Sequence, residues 1–110
     1  MRVLLDESVP KALGFSIQGH FVRTVQVAAF AGMLNGELLA AMEVAAYDVL
    51  ITFDQNLPYQ QNVKLPVAVL VLIAHNNRVE TALRFTLAMS SALLTISPGQ
   101  LIKLELAGPD

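Results

Sequence analysis

Apolar residues in this chain fall into short, dense runs that end abruptly. Val3-Leu4-Leu5 runs straight into Asp6-Glu7. Val49-Leu50-Ile51-Thr52-Phe53 stops at Asp54, and residues 67–73 form a run with no polar member. Such short runs without alternation predict strands buried on both faces. Two other stretches alternate. His20-Phe21-Val22-Arg23-Thr24-Val25 predicts a second strand. Residues 101–106 set Leu101, Lys103 and Glu105 against Ile102, Leu104 and Leu106, the pattern of a half-exposed edge strand. The predicted strands are therefore 2–5, 20–25, 49–53, 67–73 and 101–106.

Helix signals fill most of the gaps. Ser8 reads as a cap and Pro10 as a first-turn residue of a short helix over 10–15. Residues 26–34 are apolar but broken by Gly32, so they read as a loop with one helical turn. Asn35 reads as the N-cap of a helix over 36–46, with Glu37 in its first turn and Leu38, Leu39, Met42 and Ala45-Ala46 on its apolar face. The polar stretch 55–65 has room for a short helix begun by Pro58. His75-Asn76-Asn77 predicts a turn and cap before one long helix over 78–95, with Val79, Leu83, Leu87 and Leu94 on one side. Strands alternating with helices imply an α/β fold: three layers, α/β/α, around a mainly parallel five-stranded sheet, as a single domain over 1–110.

Composition narrows the function classes. There is no Cys, which excludes disulfides, thiolate metal sites and thiol nucleophiles and fits a cytoplasmic protein. Asp6 interrupts the first apolar run too early for a signal-peptide core, and no run is long enough to span a membrane. Hydrophobic residues make up 55% and charged residues only 15%, so apolar surface is expected outside the core and a homo-oligomer with it. A net charge of −2 provides no general basic surface for nucleic acid.

The candidate chemistry is acidic. In a parallel sheet all strand carboxyl ends lie on one edge, where open α/β sheets place ligands. If strands 2–5 and 49–53 are parallel neighbours, Asp6 and Asp54 converge, with Glu37 as a third acid. Each alone has a plainer reading: Asp6 as a cap, Asp54 in an Asx-turn, Glu37 as a complement to the helix dipole. Three together would repel and need a hard divalent cation such as Mg²⁺ or Mn²⁺. Such an ion can activate water for phosphodiester cleavage. Glu7 reads as an outer-layer or solvent-facing acid, and His20 and His75 as structural. In the following loop, Gln55, Asn56, Tyr59, Gln60, Gln61 and Asn62 read either as solvated side chains or as substrate contacts, with Tyr59 stacking on a base. The glycines form no phosphate-binding pattern.

Val3-Leu4-Leu5-Asp6-Glu7, Asn35-Gly36-Glu37-Leu38 and Leu50-Ile51-Thr52-Phe53-Asp54-Gln55-Asn56-Leu57, in this order and spacing, resemble the compact PIN-like proteins, relatives of the VapC-type toxin ribonucleases. The resemblance covers nearly the whole chain. It implies a sheet of order 3-2-1-4-5 and a Mg²⁺- or Mn²⁺-dependent ribonuclease site at Asp6, Glu37 and Asp54. On the functional reading of the loop after Asp54, Tyr59, Gln60 and Asn62 are the expected substrate-binding residues. Relatives carry a further acid two residues after the strand-three Asp; this chain has Asn56, whose amide can hold a metal-bound water but adds no charge. The expected partners are an RNA substrate and a cognate antitoxin protein. The alternative is a catalytically inactive PIN-like module serving as a protein-interaction subunit.

Overall fold

The computed structural model describes residues 1–56 and 65–106. The five strands are β1 (Arg2–Leu5), β2 (Phe21–Thr24), β3 (Val49–Thr52), β4 (Ala68–Ile73) and β5 (Leu101–Glu105), all parallel in one sheet. The helices are α1 (Asn35–Val44), α2 (Val79–Leu83) and α3 (Thr86–Thr95), with a 3-10 helix at Lys11–Ser16. The sheet lies between two helical layers, so the three-layer α/β/α architecture read from the sequence is the one observed. The short helix expected from Pro58 falls outside the described residues. Among the described residues no helix is long and apolar enough to cross a membrane.

Burial explains the strand patterns. Every residue of β3 is buried, and all of β4 but Ile73. Residues of one parity, including Leu5, Ile51 and Leu70, pack on one face beneath the 3-10 helix, α2 and α3. The other parity, including Leu4, Leu50 and Val69, packs beneath α1. The strands β2 and β5 form the edges and remain half exposed. At β2 the Arg23 Nη1 donates to the Val22 carbonyl, which blunts the edge against further strand pairing.

The strand order is β2-β1-β3-β4-β5, not the 3-2-1-4-5 that the resemblance implies. Among the described residues no strand lies outside β2. Instead β3 pairs with β1 on the side away from β2, through Val3↔Val49, Leu4↔Leu50 and Leu5↔Ile51. The chain leaves β2 and crosses over β1 through α1, which creates a topological switch point between β1 and β3. The connection from β1 to β2 and that from β4 to β5 step in opposite directions across the sheet, yet both pack on the same face. They therefore have opposite hands. Parallel crossovers are right-handed in about 98% of cases, so one of these two is an exception to that rule.

Three helix expectations are corrected. Asn35 is the first residue of α1 rather than its cap; Leu34 holds the cap position and α1 stops at Val44. Its end is closed by Ala46 at φ 63°, with Tyr47 N–H donating to the Met42 carbonyl and Ala46 N–H to that of Glu43. This is a Schellman closure with alanine where glycine is favoured. Ser8 and Pro10 lead into a 3-10 helix, and Ser8 makes no cap bond to it. The single helix over 78–95 is two helices. Arg84 and Phe85 N–H groups bond three residues back, and Thr86 Oγ1 donates to the Leu83 carbonyl. The break sends Phe85 fully into the core, edge-on to Phe53 at 6.1 Å. The buried side of this segment is Ala82, Phe85, Met89, Ala92 and Leu93, whereas Val79, Leu83, Leu87 and Leu94 face outward.

Candidate functional site

The strand register brings the two strand-end acids together. Leu5 pairs with Ile51, and the Asp6 N–H donates to the Ile51 carbonyl at 3.0 Å, which carries the ladder one residue past β1. Asp6 therefore sits beside Thr52. The Thr52 hydroxyl donates to Asp6 Oδ2 at 2.7 Å and accepts the Asp54 N–H at 2.9 Å. One buried hydroxyl thus links both acidic positions across the β1/β3 switch point, where doubly wound sheets place their ligands.

Neutral donors hold the carboxylates in place. Ser8 Oγ donates to Asp6 Oδ2 at 3.0 Å and accepts the Phe53 N–H at 3.1 Å. The Ser8 carbonyl is itself tied to Asn77 Nδ2 at 2.8 Å. Asp54 Oδ1 accepts the Asn56 N–H at 2.9 Å, the Asx-turn expected as its plainer reading, and Oδ2 accepts from Asn35 Nδ2 at 3.4 Å. The Asn35 contact sets the first turn of α1 against the site.

The other candidates fall elsewhere. Glu37 is exposed in the first turn of α1 and no bond joins it to this network among the described residues. Asn56 is exposed and contributes its backbone N–H. Tyr59, Gln60 and Asn62 lie outside the described residues. Glu7 accepts the Gly32 N–H at 2.8 Å and stabilises the loop after β2. His20 Nδ1 lies 3.2 Å from the N-terminal amine, and His75 is exposed after β4.

The sequence reading missed Thr52. A hydroxyl closing an otherwise apolar buried strand was the available signal, since a buried polar group needs a partner. It also read Ser8 and Asn35 as caps, whereas both bond to the acids.

Among the described residues no three Asp, Glu or His side chains lie together as a metal-holding group. Asp6 and Asp54 supply two carboxylates, oxygen donors of the kind that suits Mg²⁺ or Mn²⁺. Such hard ions take oxygen ligands, and Mg²⁺ commonly binds one or two carboxylates and keeps its waters. No family model, curated protein or solved structure matches the chain.

Proposed function

We propose that the chain is a metal-dependent ribonuclease of PIN-like type that hydrolyses RNA phosphodiester bonds, as the toxin component of a toxin–antitoxin pair. The observation that carries this reading is the Thr52 bridge, which holds Asp6 and Asp54 at one point of the carboxyl edge. Asp6 and Asp54 would hold Mg²⁺ or Mn²⁺, with Glu37 as a solvated third acid on the rim. When bound there, such an ion would supply Lewis acidity and offset charge on the phosphodiester. The protein supplies orientation. Thr52 and Ser8 both donate to Oδ2 of Asp6, so that oxygen is fixed and Oδ1 takes neither bond. The Asx-turn and Asn35 fix both oxygens of Asp54.

A second reading, a catalytically idle module that binds a partner protein, is favoured by one observation. Asp6 Oδ2 and both Asp54 oxygens are already hydrogen-bonded within the chain. The readings part in a cleavage assay on single-stranded RNA with and without Mn²⁺. The nuclease reading expects Mn²⁺-dependent cleavage that Asp54→Asn abolishes while folding is kept. Cleavage undiminished in Asp54→Asn removes Asp54 from the site, and no cleavage in the wild type leaves the idle module standing.

A further inference from the structure

A second surface lies on the opposite face of the sheet, over the 3-10 helix, α2 and α3. Phe15 is 85% exposed, Leu87 84% and Leu94 82%, with Leu83 also exposed. Leu87 and Leu94 are two turns apart on α3 and so share one side. Phe15 lies on the 3-10 helix, which is tied to the start of α3 where Ser16 Oγ and Thr86 Oγ1 are 3.3 Å apart. Beside Phe15 opens a cavity of about 400 Å³ with Leu5, Gly14 and Val22 among its lining residues. Gly14 permits the close approach here, since a Cβ at that position would stand 3.3 Å from Val22.

The charge on this layer opposes that of the chain. Lys11, Arg78 and Arg84 are exposed on or beside these helices, where Glu80 is the one acid within residues 11–16 and 78–95, in a chain of net charge −2. We propose that the ridge is a docking surface for an acidic, amphipathic helical segment of a partner protein. Its apolar side would cover Phe15, Leu87 and Leu94, one side chain would enter the cavity, and its acids would meet Lys11 and Arg84. A helix laid on an apolar groove is a common recognition mode. A second copy of the chain fits less well, because it would bring the same bases together around an apolar contact. A bilayer has nothing to place in a concave cavity, and RNA gains no stacking from exposed leucines. The proposal holds whether or not the carboxyl edge is catalytic.

The test uses the full chain and a fluorescein-labelled synthetic helical peptide with a Leu/Phe side and a Glu/Asp side, read by anisotropy. Saturable binding is expected, weakened by added salt. Leu87→Glu, and separately Lys11→Glu with Arg84→Glu, should each weaken it about tenfold, consistent with loss of one apolar anchor or two exposed ion pairs. These side chains are exposed, and thermal melts verify that the variants fold. A peptide with Lys and Arg in place of its acids should not bind. Equal binding of both peptides, or binding indifferent to all three substitutions, overturns the proposal. So does absent peptide binding, whether accompanied by attachment to phosphatidylglycerol vesicles, capture of poly(U), or a dimer in light scattering.

Discussion

The two ends of the β1–β3 pair carry similar residues and put them to different uses. At the amino edge, Asp48 accepts the Arg2 N–H at 2.7 Å, and the Arg2 guanidinium lies over the rings of Phe21 and Tyr47 at 4.5 and 4.7 Å. Acid, base and aromatic rings there fasten neighbouring strands to each other. At the carboxyl edge, every donor to Asp6 and Asp54 is neutral: two hydroxyls, an amide side chain and a backbone N–H. Among the described residues no cationic donor reaches either carboxylate. Asp48 accepts a single backbone N–H, whereas the carboxyl edge gathers two acidic positions on one buried hydroxyl, and that gathering marks the candidate site.

That difference can be broken by substitution. The largest expected effect is on cleavage. Asp6→Asn should lower Mn²⁺-dependent RNA cleavage by about a hundredfold or more, the scale of losing a cation's contribution to charge stabilisation. Asp48→Asn at the opposite edge should leave the rate within about twofold. Equal losses in a single-turnover assay would erase the distinction between the edges. Next comes Thr52→Val, which keeps the shape and removes the bridging hydroxyl. It leaves the Asp54 N–H without its acceptor and should cost about 1–3 kcal/mol in urea unfolding. A neutral result would mean that the bridge does not hold the site. Glu37→Gln should reduce cleavage by about tenfold, less than Asp6→Asn, because its carboxylate is exposed and tied to nothing in the network. The smallest effect lies away from both edges. Ala46→Gly should stabilise the fold by about 1 kcal/mol by relieving a left-handed alanine at the end of α1. A loss of stability by calorimetry would contradict that account of the helix end.

The strands were legible because buried parallel strands leave dense apolar runs with sharp ends. Parallelism put Asp6 and Asp54 on one edge, and their convergence required β1 and β3 to be neighbours. The neighbour of β1 was not legible, since nothing local tells β3 which side to take. The break between α2 and α3 was hidden for a related reason. Neither Arg84 nor Phe85 breaks a helix by its own propensity, and the turn is dictated by burying Phe85 against Phe53. Residues 78–95 are apolar on nearly every side, so periodicity could not choose between Leu87 and Met89 for the core. Ser8 and Asn35 were misread because hydroxyls and amides bond equally well to a helix end or to a carboxylate, and only the tertiary fold decides.

The most direct test of the carboxyl-edge site is a thermal melt of the wild type, Asp54→Asn and Asp48→Asn with and without millimolar Mn²⁺. A cation bound only by the native state stabilises it by mass action. The wild type and Asp48→Asn should both gain about 4 °C or more, and Asp54→Asn should gain little. A flat response in the wild type, or an undiminished one in Asp54→Asn, would contradict cation binding at the β1/β3 switch point.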